Sequence, residues 1–147
     1  MNILAIDTCT EVASVTLYSS NVKTTRVLTD IAKSSGYILK LCDEVFKEVG
    51  NNLQEVDFIS YTKGPGAFTG VRMCVGVVQG LSLSCGIPTL GFSTLELLAF
   101  RASKILKKDK IATAIDARMG EVYWAVYDNG SISNMRICKP ENVDNLG

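Results

Sequence analysis

The order of the predicted elements indicates an α/β fold with a mixed five-stranded sheet and helices on both faces of that sheet. Three short strands joined by tight turns open the chain, and helices then alternate with two further strands. Strands joined by tight turns pair antiparallel, whereas strands separated by a helix usually pair in parallel. This order is typical of the actin-like (ribonuclease-H-like) fold. The pattern of the first strands also recurs near the end of the sequence.

The individual elements follow from changes in the spacing of apolar residues. Short apolar or alternating runs predict strands, and apolar residues at three- and four-residue steps predict helices. We expect five strands, at residues 3–6, 12–18, 24–28, 56–62 and 89–92. We expect three helices, at residues 34–49, 71–85 and 94–106. Their predicted start signals are Ser34 or Ser35, Thr69, and a capping box of Ser93 with Glu96.

The sequence contains an internal echo. Residues 111–128 repeat the pattern of residues 2–19, and Asp116 then aligns with Asp7. Both copies carry the triplet Ala-Ile-Asp, followed by a short turn and a long alternating strand. Duplicated halves of this kind are typical of actin-like proteins, in which two such domains face each other.

We therefore expect an N-terminal ribonuclease-H-like domain at residues 1–107. Residues 108–147 then form the start of a second, truncated half, an incomplete second copy. In such a half the apolar strand residues lack part of their cover: Val122, Tyr123, Trp124, Val126 and Tyr127. Exposed apolar patches usually mark a partner surface, so we expect self-association as a homodimer or by strand exchange.

The composition excludes several classes of protein. The chain of 147 residues contains no histidine, so His-assisted nucleophiles and His-containing metal sites are excluded. We expect no metal and no cofactor. The five cysteines show no paired spacing and indicate buried thiols in a reducing compartment. With no signal-peptide layout and no apolar run of membrane-helix length, we expect a cytoplasmic protein without a membrane partner.

The charge balance gives little sign of independent nucleic-acid binding. The chain has 15 basic and 15 acidic residues, so its net charge is zero. A tight basic group is formed by Lys104, Lys107, Lys108 and Lys110. A solvated helix end accounts for this group, and binding of nucleic acid by the chain alone is not expected.

Two features could bind a nucleotide, and each has a plainer explanation. The glycine-rich loop at residues 64–70 lies between a strand and a helix, but it lacks the Gly-Lys-Ser/Thr ending and the spacing of dinucleotide-binding loops. A tight turn explains it. Asp7 and Asp116, each at a strand end, could hold Mg²⁺ through water in an ATPase or small-molecule kinase. Alternatively, each carboxylate accepts hydrogen bonds from nearby backbone amides.

Three stretches of the sequence resemble the signatures of a known family. They are Ile-Leu-Ala-Ile-Asp-Thr-Cys-Thr at residues 3–10, Lys-Gly-Pro-Gly-Ala-Phe-Thr-Gly-Val-Arg at residues 63–72, and Asp-Ala-Arg-Met-Gly-Glu-Val-Tyr at residues 116–123. They are similar to those of the TsaB (YeaZ, glycoprotease-like) family. In two respects the chain departs from the family. The His-Ser pair common before the first helix is replaced by Ala32-Lys33-Ser34-Ser35, and the family's second half normally runs beyond residue 147.

The resemblance implies a non-catalytic, actin-like subunit. Its paralogue TsaD is the catalytic subunit, which holds a metal through histidines and transfers the threonylcarbamoyl group to an adenosine of tRNA. The resemblance further implies TsaE as an ATPase partner, and contact with tRNA only through the complex. A metallopeptidase, as the name glycoprotease suggests, conflicts with the absence of histidine. The rival function is an actin-like ATPase or small-molecule kinase that uses Asp7 and Asp116.

The resemblance also implies a partner surface, since TsaB pairs with TsaD through two helices from each chain. The matching helices here are those at residues 34–49 and 69–85. The second is apolar almost all round, and Gly76 and Gly80 leave a shallow groove for a close helix crossing. The expected interface residues are Leu41, Val45, Met73, Gly76, Val77 and Gly80. The alternative is a helix buried entirely within its own chain.

Overall fold

The computed structural model describes residues 1–29 and 36–143, which contain eight strands and three α-helices. In chain order they are β1 Ile3–Asp7, β2 Ala13–Ser19, β3 Val22–Leu28, α1 Ile38–Val49, β4 Phe58–Thr62, α2 Phe68–Cys85, β5 Thr89–Phe92, α3 Thr94–Leu106, β6 Lys110–Arg118, β7 Glu121–Asp128 and β8 Ser131–Cys138. They form two compact units. The first comprises Met1–Lys63 and Ala67–Phe92, and the second comprises Gly64–Gly66 and the described residues from Ser93 onward.

The first unit is built on a five-stranded sheet with the strand order β3-β2-β1-β4-β5. β1, β2 and β3 pair antiparallel, whereas β4 pairs parallel with both β1 and β5. The predicted mixed sheet is therefore confirmed. Strand β5 has the predicted bounds, and the limits of the other four differ from prediction by at most two residues.

One face of this sheet carries the core of the first unit. Burial alternates along β2, with Ala13, Val15 and Leu17 fully covered. Leu17 pairs with Leu4 of β1, and Leu4 pairs with Ile59 of β4. Directly paired residues point to the same side of a sheet, so these apolar side chains share one face.

Both helices of the first unit cover that face. α1 lies over β2 and β3, and α2 lies over β4 and β1. Their side chains join the strands in one apolar cluster, to which the helices contribute Ile38, Leu41, Cys42, Val45, Cys74 and Val78. The sequence predicts helices on both faces of the sheet. In this unit α1 and α2 share one face, and the remaining helix, α3, belongs to the second unit.

The C-terminal end of α1 lies where the sequence predicts it. The helix ends as predicted at Gly50, which is left-handed with φ 76° and donates its amide to the Phe46 carbonyl at 2.9 Å. Glycine takes this conformation without the steric cost of a side chain. The described part of α1 begins at Ile38. The predicted start signals Ser34 and Ser35 lie outside the described residues.

The second unit contains an antiparallel meander of β6, β7 and β8, as the echo predicts. α3 packs on β6 and β7, where Ala99 contacts Ile111 and Tyr127. Because α3 packs on this sheet, the compact units divide at Ser93. The predicted boundary at residues 107–108 marks where the second copy of the repeated sequence begins, and it stays a prediction.

The strand faces of the second unit are better covered than the sequence indicates. The residues expected to lack cover divide into buried Trp124, Val126 and Tyr127 and half-buried Val122 and Tyr123. That expectation is therefore wrong. In the strands of this sheet, the large exposed apolar side chains are Met135 and Ile137 of the edge strand β8, which are 51% and 55% exposed.

Candidate functional site

The carboxylate of Asp7, at the end of β1, is held by groups of its own unit. One of its oxygens, Oδ1, accepts the Cys9 amide at 2.9 Å and the Thr62 hydroxyl at 2.6 Å. Thr62 ends β4, the parallel neighbour of β1. Asp7 therefore joins two strand ends, and its hydrogen bond to the Cys9 amide is the contact that the plainer of the two interpretations predicts.

The turn after Asp7 is packed against the start of α2. The Thr8 hydroxyl donates to the Gly70 carbonyl at 2.6 Å, and the Ala67 amide donates to the Cys9 carbonyl at 3.0 Å. A Cβ added to Gly70 would lie 2.0 Å from the Thr8 carbonyl oxygen. The first two signature stretches thus meet at one place. We call it the signature corner, and it comprises Asp7, Thr8, Cys9, Thr62, Ala67 and Gly70.

The signature corner also determines where α2 begins. The helix starts at Phe68 with Ala67 as its N-cap residue, so the prediction of Thr69 as N-cap is wrong. Ser93 is the N-cap residue of α3 as predicted, but its side chain makes no capping hydrogen bond, so the predicted capping box is not formed. A capping box does exist at Asn52 and Glu55, before β4, where the sequence analysis places none. It could have been found from its Asn-x-x-Glu spacing.

The third signature stretch forms the turn between β6 and β7 in the second unit. Asp116 Oδ1 accepts the Arg118 amide at 2.8 Å, and its Oδ2 lies 3.4 Å from the Arg118 guanidinium. Arg118, Met119 and Gly120 all have positive φ, and the Asp116 side chain is 65% exposed. Asp116 thus repeats the hydrogen bond of Asp7 to the amide two residues on, but at the surface.

In the described part of the chain, residues 1–29 and 36–143, the side chains capable of ligating a metal (Cys, Asp and Glu) do not form a cluster of three or more. Asp7 and Asp116 belong to different compact units. Each carboxylate instead accepts a hydrogen bond from the backbone amide two residues on, within its own turn.

The cysteines near the signature corner are buried thiols. The Cys9 thiol donates to the Thr62 carbonyl at 3.3 Å, and the Cys74 thiol donates to the Ile6 carbonyl at 3.5 Å. A hydrogen bond with Cys9, together with burial, raises the pKa of the Cys74 thiol far above its ordinary value. Burial likewise raises the pKa of the Cys42 thiol to about 12. Thiols held protonated in this way are poor nucleophiles, so they act as packing groups.

The predicted interface residues separate into three environments. Leu41 and Val45 are buried in the core of their own chain, and Met73 and Val77 are half-buried against it. Gly76 and Gly80 are exposed, and a Cβ added at either would meet no atom of the described residues within 4 Å. These two glycines are therefore the members of the set that a second protein could approach directly.

The outward side of α2 forms a continuous exposed surface, here called the α2 stripe. Its members are Phe68, Arg72, Gly76, Gln79, Gly80 and Leu83. Phe68 and Leu83 are 74% and 85% exposed, and the Arg72 guanidinium lies 5.1 Å from the centre of the Phe68 ring. Beside the stripe, a groove of about 390 Å³ is lined by Tyr61 of β4 and Val75, Gln79 and Leu83 of α2, among others.

α2 is also long and apolar enough, by length and composition, to cross a membrane. Its 18 residues have a mean hydropathy of 1.3, and Arg72 is their only charged side chain. Arg72 and Gln79 interrupt the apolar residues of α2, so the expectation of no uninterrupted run of membrane-helix length is not contradicted. One such helix is weak grounds for a membrane span, since helices covering a sheet meet the same criteria. In this protein the inner side of α2 packs along β1 and β4.

Comparison with known proteins agrees with this geometry. The family model described as TsaD, tRNA N6-adenosine threonylcarbamoyltransferase, matches residues 31–147. The chain is 39% identical to the tRNA threonylcarbamoyladenosine biosynthesis protein TsaB of Escherichia coli, over 97% of this chain and 64% of that protein. It is 32% identical to the TsaB protein of Haemophilus influenzae, over 99% of this chain and 67% of that one.

A solved structure shows the same fold. YeaZ from Pseudomonas aeruginosa superimposes with a TM-score of 0.90 at 36% identity, covering 99% of this chain and 71% of that one. The mixed five-stranded sheet and the second β-meander thus define an α/β protein of the actin-like (ribonuclease-H-like) class. The chain belongs to the TsaB (YeaZ) family. It spans about two thirds of the length of the curated relatives that it matches, 64% for the E. coli protein.

Proposed function

We propose that this chain is a non-catalytic subunit that supports a TsaD-type enzyme in the threonylcarbamoyladenosine modification of tRNA. The names of its relatives place them in the biosynthesis of this modified nucleoside. The single observation that carries the subunit role is the exposed α2 stripe with its two open glycines. We further propose that the complex works in the cytoplasm, that a TsaE-type ATPase joins it, and that tRNA is reached through it.

The two glycines favour a close helix crossing. Glycine inside an exposed helix costs about 1 kcal/mol relative to alanine. Nothing among residues 1–29 and 36–143 requires this cost at Gly76 or Gly80, because none of these residues fills the space beside either glycine. Two helices that cross closely do require small residues at the contact, and the spacing of four places both glycines on one side of α2. A helical partner therefore accounts for a feature that the fold alone does not explain.

The non-catalytic role is supported by the chemistry of the candidate acids. The chain has no histidine, and Asp7 is engaged by the Cys9 amide and the Thr62 hydroxyl. We expect no ATP hydrolysis above background from the purified chain, measured by phosphate release. Turnover that disappears in Asp7→Ala would instead favour the actin-like ATPase or kinase.

The α2 stripe also offers a site for a second copy of this chain. Phe68 and Leu83 would be covered in either complex. We propose a homodimer that the TsaD-type enzyme displaces. Sedimentation across a range of concentrations measures self-association, and a monomer throughout would contradict the homodimer without affecting the heterologous complex.

Replacing Gly80 tests the interface. Because space beside Gly80 is open, Gly80→Leu should fold normally, yet it should lose the TsaD-type enzyme in a pull-down and lose the tRNA modification in cells. Gly80→Ala should raise the free energy of unfolding by up to about 1 kcal/mol. We expect Gly80→Ala to weaken the complex less than Gly80→Leu does.

Two controls make the result interpretable. Lys23→Leu adds an exposed leucine to β3, away from α2, and should leave the complex intact. A melting temperature of Gly80→Leu equal to that of the parent shows that the fold tolerates a leucine at this position. A stable Gly80→Leu that still binds the enzyme with normal affinity would show that the α2 stripe is not the interface.

A further inference from the structure

A second surface, on the other compact unit, is defined by charge. We call it the α3 basic end, and it comprises Arg101, Lys104, Lys107, Lys108 and Lys110. The ten residues 101–110 include five of the 15 basic residues of the chain but only one of its 15 acidic residues, Asp109. The segment therefore carries a net charge of about +4 and the rest of the chain about −4, at neutral pH. A zero net charge for the whole chain conceals this separation.

The cations of the α3 basic end are exposed and positioned by the backbone. Arg101 and Lys104 lie three residues apart on one side of α3. Lys107 is the left-handed C-cap residue, and the amides of Lys107 and Lys108 both donate to the Ser103 carbonyl. In the part of the chain that the structure describes, no acidic side chain forms an ion pair with any of the five.

A solvated helix end explains only part of this cluster. Favourable interaction with the helix dipole is limited to the last turn, which contains Lys104. Arg101 lies earlier in α3, and Lys110 begins β6. An aromatic side chain accompanies the charges: Phe100 is 48% exposed, and the Lys104 ammonium lies 5.2 Å from the centre of its ring.

We propose that the α3 basic end contacts the phosphodiester backbone of tRNA when the tRNA is held in the enzyme complex. Cations without acidic partners attract a polyanion, and contacts to phosphates carry no base specificity. Five cations on a chain of zero net charge suit an auxiliary contact made after a partner has bound the tRNA. The proposal rests on the proposed function and adds a second point at which the tRNA touches the complex.

The proposed function favours RNA over an anionic membrane at the α3 basic end, since the relatives are named for the biosynthesis of a modified nucleoside of tRNA. A helix that lies on a bilayer must insert its own apolar face. In α3 the residues Leu95 and Ala99 are fully buried, and Ala99 packs on Ile111 and Tyr127 of the second sheet. That face is therefore occupied, but Phe100, Ile105 and Leu106 of α3 are exposed beside the cations. Binding to vesicles is accordingly one of the outcomes that the test below measures.

Charge reversal in the reconstituted complex tests the proposal. The full chain is combined with the TsaD-type enzyme, and binding of fluorescent tRNA is measured by anisotropy over a series of salt concentrations. For Lys104→Glu/Lys107→Glu we expect about tenfold weaker binding at low salt, and a salt slope reduced by about one for each lysine lost. Lys23→Glu/Lys139→Glu makes the same change of charge at exposed positions elsewhere and should bind like the parent chain.

Each outcome decides the matter. Size-exclusion chromatography without tRNA comes first, and failure of the parent chain to form a complex overturns the proposed function and this contact with it. If both charge-reversed variants form the complex and bind tRNA equally, the contact is overturned alone. A membrane role would also overturn it. In that case the parent chain binds phosphatidylserine vesicles, Lys104→Glu/Lys107→Glu does not bind them, and the variant's complex keeps the parent's affinity for tRNA. Lys104→Gln/Lys107→Gln repeats the test with a milder change should the reversed variant fold poorly.

Discussion

The two strand-end turns, at Asp7 and at Asp116, share one hydrogen bond but differ in backbone conformation and in surroundings. In each, the carboxylate accepts the amide of the residue two positions on, Cys9 in the first and Arg118 in the second. Asp7 also accepts the Thr62 hydroxyl from the neighbouring strand, and its turn is packed against α2. The Asp116 side chain is exposed and interacts with Arg118 of its own turn. Similar sequences have thus formed the same hydrogen bond, and tertiary packing has made only the first turn a structural anchor.

The largest difference in stability between the two regions should appear when the glycine packed against the first turn, Gly70, and the glycine in the second, Gly120, are each replaced. A Cβ at Gly70 would lie 2.0 Å from the Thr8 carbonyl oxygen, a backbone atom that cannot move aside easily. Gly70→Ala should therefore lower the free energy of unfolding by about 3 kcal/mol or more. Gly120 has open space around it but a φ of 79°, so Gly120→Ala should cost only about 1 kcal/mol. Urea denaturation measures both, and equal losses would contradict the distinction.

Removing the two carboxylates should give a smaller difference in the free energy of unfolding, again with the larger loss at the first turn. Asp7→Ala leaves the Cys9 amide and the Thr62 hydroxyl without their acceptor, and should cost about 2 kcal/mol. Asp116→Ala removes an exposed interaction and should cost less than about 0.5 kcal/mol. Asp7→Asn keeps an acceptor oxygen and serves as the control, expected to lie between Asp7→Ala and the parent. If Asp7→Ala and Asp116→Ala were equally stable, Asp7 would not be an anchor.

The smallest expected effect is the loss, at alkaline pH, of the stability that the Cys74 thiol contributes. The pKa of the Cys74 thiol is raised in the folded chain, so the thiol contributes stability that is fully present below its unfolded value of 9.0. Above that pH the unfolded thiol ionises while the folded thiol does not, and this stability is progressively lost. The difference in urea midpoint between the parent and Cys74→Ala should therefore narrow from pH 8 to pH 10 (about one unit on either side of the unfolded pKa). A constant difference would contradict the shift.

The elements of the fold could be predicted because their signals are local. The limits of β5 and the left-handed end of α1 at Gly50 were both correct, since apolar spacing and helix-stop residues determine them within a few residues. The echo of Asp7 in Asp116 was informative for the same reason, because a carboxylate and an amide two residues on need no distant partner.

The site was less predictable because its contacts are distant in sequence. The sequence predicts Gly70 in a tight turn, but it does not predict that the Gly70 carbonyl accepts the hydroxyl of Thr8, 62 residues earlier. The start of α2 and the place of Thr69 within it follow from that contact rather than from capping preference. Leu41 and Val45 were expected at a partner surface, but they lie inside the chain's own core, because spacing identifies an apolar helix face without saying what covers it. The partner role of Gly76 and Gly80 stays a prediction.

The strand order β3-β2-β1-β4-β5 also has a consequence for the time course of folding. The β6–β8 meander pairs neighbouring strands through short turns, so it can assemble as soon as its own residues meet. β1 must wait for β4, and the hydrogen bond from Thr62 to Asp7 closes a loop of 55 residues. During synthesis, the antiparallel strands β1–β3 leave the ribosome with one edge unpaired until β4 follows. For that interval the newly made chain is exposed to mispairing at the very edge that later carries the signature corner.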